Sequence, residues 1–322
     1  MKINSVVAVE ADGLVKNFGK NRAVDCVSLH IPSGKICGML GPNGAGKTTI
    51  INILATLLKP DAGNAKIFGY DIWKESQVVR QLIGLTGQFT SIDESLTAMQ
   101  NLKIFGRLLG LSRQKAKRKA EELLEEFELT EAANRSLSKF SGGMRRRLDL
   151  AASLLSQPPL IFLDEPTTGL DPRTRIQMWQ TIRNFVKNGS TVMLTTQYLE
   201  EADQLADNII VIDHGRVIAN DTSDDLKKSI GSVSLRLTLK NADNIAKAVQ
   251  IIEQALGAKV QITHTLELTA QMNDTEKLTD ILTAMKAAGI PLAEINVVRP
   301  SLDEVFFALT GNIPAKGNKE EN

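Results

Sequence analysis

One stretch constrains this chain more than any other: Lys35 to Thr49, KICGMLGPNGAGKTT. Ile36 to Leu40 reads as a short apolar strand, Gly41 to Gly46 as a glycine-rich loop, and a helix opens at Lys47. Gly41, Gly46, Lys47 and Thr48 fit G-x-x-x-x-G-K-[ST], the phosphate-binding loop. The residue types follow from the chemistry. Backbone N–H groups along Gly41-Pro42-Asn43-Gly44-Ala45-Gly46 can curl around phosphate oxygens where a Cβ would intrude. The start of the helix, through Thr48 and Thr49, adds free N–H donors and partial positive charge. Lys47 would reach the β- and γ-phosphates, and the Thr48 hydroxyl would ligate Mg²⁺. The strand–loop–helix context separates this match from a chance glycine-rich turn.

The remaining totals exclude rather than assign. The chain has 322 residues, room for two domains. Lys+Arg 38 against Asp+Glu 37 leaves a net charge of +1, which gives no bulk argument for nucleic acid or a membrane surface. Cys26 and Cys37 make no disulfide framework, and His30, His214 and His264 have no metal-ligand spacing. No stretch approaches the ~20 apolar residues of a spanning helix, so membrane spans are expected on another chain.

Along the chain, residues 5–31 alternate as strands in three runs, VVAVE, LVKNFG and AVDCVSLHI. Phe18 reads from this periodicity as an ordinary core aromatic. A further strand, Ile83 to Gln88, ends on a glutamine with no assignable role in isolation. Residues 95–138 turn helical, with Ala116, Ala120, Leu123, Leu124 and Phe127 on one face. Ser141 is a good N-cap before Gly142-Gly143 and an apolar helix, a start that can also grip an anion. Leu160 to Asp164-Glu165 is a buried-strand pattern delivering two carboxylates at its end. Downstream of a phosphate loop, the first acid serves Mg²⁺ and the second can act as general base on water. Thr191 to Thr195 is another buried strand, followed by Gln197.

The phosphate loop, Gln88, SGGMR (141–145), LDEP (163–166), TGLD (168–171) and Gln197 occur in the order found in ATP-binding cassette (ABC) transporter ATPases. The resemblance covers roughly residues 5–230. Within that superfamily, Leu194 to Asp207 and SGGMRRRLDLAASL resemble the daunorubicin/doxorubicin-resistance type of drug-export ATPase. The resemblance implies an α/β P-loop NTPase cassette: a RecA-like core, an N-terminal antiparallel β-subdomain, and a helical subdomain at about residues 89–158. It implies that Phe18 stacks on adenine and that Gln88 helps hold Mg²⁺. Ser141, Gly142 and Gly143 would close on the γ-phosphate bound by a second subunit. Asp164 would be the Mg²⁺-side acid, Glu165 the catalytic base and Asp171 an interface aspartate. Three positions depart from the pattern. Phe140 and Met144 replace the usual leucine and glutamine of the signature. Gln197 stands where most members have histidine; it can donate a hydrogen bond but cannot carry charge or shuttle a proton.

Residues 231–311 read as a second unit of order βαββαβ, a small ferredoxin-like α+β domain. Its signals are the alternation Val233, Leu235, Leu237, Leu239 and the helical faces Ile245/Ala248/Val249/Ile252/Leu256 and Leu278/Ile281/Leu282/Met285. Ser301 and Glu304 make a capping box before a last helix ended by Gly311, and residues 312–322 are expected to be a disordered tail. The domain resembles the C-terminal extension of the same subfamily, with an expected regulatory or dimer-stabilising role. The expected protein is the ATP-hydrolysing subunit of an exporter of hydrophobic drug-like compounds. It would use ATP and Mg²⁺, form a head-to-tail homodimer on ATP, and work peripherally at the cytoplasmic face of the membrane through a separate permease, without nucleic acid. The competing readings are an importer ATPase, disfavoured by the helical periodicity of the C-terminal unit, and an ATP-binding switch with negligible turnover, motivated by Gln197. A ribosome- or DNA-directed cassette would more often carry a tandem cassette or a long coiled coil.

Overall fold

The computed structural model describes residues 7–86, 92–230, 233–264, 266–272, 274, 276–298 and 300–310. Gln88, Gly311 and the tail 312–322 lie outside the described residues. The chain divides into two compact units, Met1–Thr222 and Ser223–Asn322.

The first unit opens with β1 (Val7–Phe18) and β2 (Asn21–Pro32), a long antiparallel pair. The first two sequence runs are one strand, not two. The break between them is a bulge, with the register shifting between Ala11 and Leu14. Gly13 absorbs it at φ 57, and its N–H donates to Ser28 Oγ at 3.0 Å. There follow β3 (Ile36–Leu40), α1 (Lys47–Leu54), β4 (Ala62–Ile67), β5 (Tyr70–Asp71), α2 (Ser76–Leu82) and β6 (Ile83–Thr86). The helical stretch contains α3 (Ala98–Leu108), α4 (Arg113–Glu126) and α5 (Gly142–Ser153). The unit closes with β7 (Leu160–Asp164), α6 (Pro172–Lys187), β8 (Thr191–Thr196), α7 (Leu199–Leu205) and the hairpin β9 (Asn208–Asp213) and β10 (Arg216–Asp221).

Among the described residues these strands form two sheets, β2-β1-β4-β5 and β10-β9-β3-β8-β7-β6. In the second sheet every pairing except the β9–β10 hairpin is parallel. The strands β3, β7 and β8 are buried along their whole length, as their continuous apolar runs require of central parallel strands. Their side chains alternate between two cores. Met39, Phe162 and Met193 join Ile50 and Ile53 of α1 and the antiparallel sheet. Ile161, Leu163, Val192 and Leu194 join α4, α5 and α6. The α4 face is buried at Ala116, Ala120, Leu123 and Leu124, with Phe127 just past the helix.

The second unit begins with α8 (Ser223–Ile230), then β11 (Val233–Leu239), α9 (Ile245–Leu256), β12 (Gln261–His264), β13 (Glu267–Met272), α10 (Lys277–Ala287), β14 (Leu292–Val298) and α11 (Leu302–Thr310). Its sheet order is β12-β13-β11-β14, all antiparallel. That is the split βαββαβ arrangement of a ferredoxin-like domain. Leu235, Leu237 and Leu239 of the central strand pack with Ile252 and Ile281 of the two helices. The Ser301–Glu304 capping box is present in both directions, at 3.2 and 3.3 Å.

Candidate active site

The phosphate loop leaves the carboxyl end of β3, between β8 and β9 in the sheet. This is where open parallel α/β sheets bind ligands. Two glycines are obligatory by contact. A Cβ on Gly41 would lie 2.3 Å from Ile212 O, and one on Gly46 2.3 Å from Ala23 O. Gly46 also has φ 103, which L side chains rarely adopt. Pro42, Asn43 and Gly44 are exposed at the rim, while Ala45, Gly46 and Lys47 are buried and Thr49 is half-buried. Lys47 turns its ammonium into the loop, donating to Gly41 O at 2.6 Å and Pro42 O at 2.9 Å. Burial lowers its pKa, with Glu165 and Asp164 pulling the other way.

The two acids sit at the end of the neighbouring strand β7. The Thr48 hydroxyl donates to Asp164 Oδ2 at 2.9 Å, and the Thr195 hydroxyl donates to Asp164 Oδ1 at 2.5 Å. Glu165 is half-buried and has φ 48, a left-handed conformation costing a non-glycine residue about 1–2 kcal/mol. Its backbone is held on both sides. Its N–H donates to Thr195 Oγ1 at 3.0 Å, and its carbonyl accepts from Arg146 Nη2 at 3.1 Å. Its carboxylate Oε2 accepts the Thr168 hydroxyl at 3.1 Å. Gln197 is half-buried just past β8. Because Thr195 pairs with Asp164 in the sheet, Gln197 emerges beside the acid pair and next to the loop strand.

Phe18 ends β1 and is 50% exposed, with Lys16 Nζ 5.9 Å from its ring. The core role read from periodicity is therefore absent. The hairpin it closes reaches the loop, since Ala23 O lies against Gly46 and Gly215. Ser141 caps α5, its hydroxyl accepting Met144 N–H at 3.2 Å, and Ser141 and Gly142 are exposed. Asp171 caps α6, accepting Thr174 N–H at 3.0 Å and Thr174 Oγ1 at 2.6 Å. Those Thr174 hydrogen bonds, the hydroxyl's first, hold its pKa below the ordinary value.

The structure brings together Lys47, Thr48, Asp164, Glu165 and Gln197, and adds residues that the sequence did not single out. Thr195 is one, a polar residue in an otherwise apolar strand. Arg146 is another, hidden in the run Arg145-Arg146-Arg147. Asp149, one turn on from Arg146, is a third. It is 8% exposed, Oδ2 has no hydrogen-bond partner among the described residues, and burial raises its pKa to about 6 although Arg146 opposes this.

Residues 24–168 match the family described as ABC transporter, and residues 222–310 match the C-terminal domain of ATP-binding proteins like DrrA1-3. The chain is 49% identical over 315 residues to the daunorubicin/doxorubicin resistance ATP-binding protein DrrA of Streptomyces peucetius, covering 98% of this chain and 95% of that one. It is 44% identical to the doxorubicin resistance ATP-binding protein DrrA of Mycobacterium tuberculosis, covering 95% of each. A solved dimeric ATP-binding cassette in a post-hydrolysis state, bound to ADP and phosphate, superposes with TM-score 0.61 at 28% identity, covering 66% of this chain and 98% of that one.

Proposed function

The chain belongs to the ABC transporter ATP-binding proteins and is the ATP-hydrolysing subunit of an exporter, and from that premise we propose which residues do the work and what is exported. The observation that carries the reading is the joined constellation Thr48–Asp164–Thr195–Glu165 beside Lys47. Lys47 and the loop N–H groups hold the β- and γ-phosphates. A hydroxyl and a carboxylate 2.9 Å apart are hard oxygen ligands that fit Mg²⁺, which takes its other ligands from phosphate and water. Thr48 and Asp164 would hold that ion, with Gln88 contributing, and the ion neutralises phosphate charge when bound. Glu165 takes the proton of the attacking water. Gln197 donates a hydrogen bond at the γ-phosphate, and Phe18 stacks on the adenine.

The signature Ser141–Gly143, exposed at Ser141 and Gly142, meets the nucleotide of a second copy in a head-to-tail dimer, with Asp171 at that interface. The dimeric cassette neighbour supports this arrangement. No described helix is long and apolar enough to cross a membrane. As the ATP-binding subunit of a transporter, the chain would couple to a separate permease and work at its cytoplasmic face. The names of the relatives point to drug-like hydrophobic cargo. The C-terminal unit takes a regulatory or dimer-stabilising part. The test is Mg-ATPase activity of the full chain, alone and with its permease. Activity should be present and abolished by Glu165→Gln; activity unchanged by that substitution would remove Glu165 as the base.

A further inference from the structure

The structure assigns a positioning role to Arg146: it ties the signature end of α5 to the backbone of the catalytic carboxylate, so that docking of Ser141–Gly143 on the partner's nucleotide sets Glu165 in its own site. The inference rests on the reading of Glu165 as base and of Ser141–Gly143 as the contact across the dimer. It adds a link between them that neither role requires.

Three consecutive carbonyls receive the guanidinium. Arg146 Nη2 donates to Asp164 O at 2.7 Å and to Glu165 O at 3.1 Å, and Nε donates to Pro166 O at 3.2 Å. These are the residues through which the chain leaves β7 and turns into its left-handed conformation at Glu165. The Thr195 hydroxyl fixes the other side of the same peptide. The Glu165 backbone is therefore clamped between β8 and α5, and only the α5 half of the clamp belongs to an element with an exposed end. Ser141 lies five residues before Arg146, about 7.5 Å along one helix axis. A shift of the signature thus carries the Arg146 backbone with it, and the three carbonyl contacts pass that shift to the Asp164–Pro166 turn.

The surroundings favour a fork over a simple charge. Asp149, Asp164, Glu201 and Glu165 face Arg146 electrostatically, from α5, β7, α7 and the turn after β7. A half-buried cation among acids needs no carbonyl contacts for charge balance. The planar, multiply donating guanidinium matches the three carbonyls in a way that an ammonium cannot. The cleft between Gly142, Arg146, Glu165 and Thr168 opens along this connection.

The experiment compares Arg146→Gln and Arg146→Lys in the full chain. The readouts are kcat and KM for Mg-ATP, and the ATP-dependent dimer of Glu165→Gln with and without Arg146→Gln. Misplacing a general base by a fraction of an ångström costs rate rather than binding. The expected result is a kcat lower by about 10- to 100-fold in both variants, a KM within about threefold of the parent, and a dimer that still forms on ATP. Arg146→Lys keeps the charge that folding needs and so remains informative if Arg146→Gln does not fold. A kcat within twofold of the parent, a full rate in Arg146→Lys, or loss of nucleotide binding in step with kcat would each overturn the inference. Inert Glu165→Gln with fully active Arg146→Gln sinks this inference alone, whereas fully active Glu165→Gln sinks the assignment of the base.

Discussion

Asp149→Asn should make the protein more stable, and by an amount that depends on pH. The side chain, on α5, lines a cleft with Ile83, Leu85, Thr86, Phe105 and Ser153, and the Arg146 guanidinium lies near it. Its carboxyl is raised from 3.8 to about 6, chiefly by burial, with Arg146 opposing. The pull of Arg146 is already inside that net shift. Raising the carboxyl from 3.8 to about 6 corresponds to about 3 kcal/mol. The sign follows from proton uptake. Between pH 3.8 and about 6 the native state binds more protons than the unfolded chain, so stability falls as pH rises through that window and is flat above it. Asparagine keeps the shape and has no proton to exchange in this range. Its advantage should be about 3 kcal/mol at pH 8 and between about 1 and 2 kcal/mol at pH 5. In urea the midpoint should rise by about 1 M at pH 8 and about half that at pH 5. A midpoint at or below the parent's at pH 8 would refute the reasoning, as would a gain identical at the two pH values.

Thr195→Val removes the hydroxyl that donates to Asp164 and accepts the Glu165 N–H. The ATPase rate should fall by about tenfold or more, since one buried donor–acceptor group is worth about 1–3 kcal/mol. The Mg²⁺ concentration for half-maximal rate should rise, read by titration; an unchanged Mg²⁺ requirement would detach Thr195 from the ion site. Gly46→Ala places a Cβ 2.3 Å from Ala23 O at φ 103. It should abolish binding of a fluorescent ATP analogue while the Ser223–Asn322 unit keeps its circular dichroism.

Much of the architecture was legible because the signals were local. The phosphate loop carries its chemistry and its glycines in one continuous stretch, and β3, β7 and β8 announce themselves as unbroken apolar runs. The βαββαβ order of the C-terminal unit followed from alternation at Leu235–Leu239 and two amphipathic faces. What stayed hidden depends on meetings across the chain. Nothing near Thr195 says that its hydroxyl serves a carboxylate 31 residues earlier in sequence. Nothing in three adjacent arginines says that the middle one turns inward to three carbonyls. Phe18 misled in the opposite sense. Its strand periodicity is that of a core residue, yet it stands at the end of β1, where the sheet no longer covers it. The bulge at Gly13 shows the same limit: a glycine between two apolar runs can end a strand or bend one, and only the partner β2 decides.

The alternation of the central strands has a consequence for how such a machine can be altered. Phe162 and Leu163 are neighbours in sequence but belong to different cores, one under the phosphate loop and one under the signature helix. A substitution at one therefore loosens the nucleotide grip and a substitution at the other the mounting of α5. The sheet works as a bulkhead for packing alone: drift in the α5 core reaches the acid pair through the Arg146 contacts with the Asp164–Pro166 backbone, and leaves the core beneath the phosphate loop as it was.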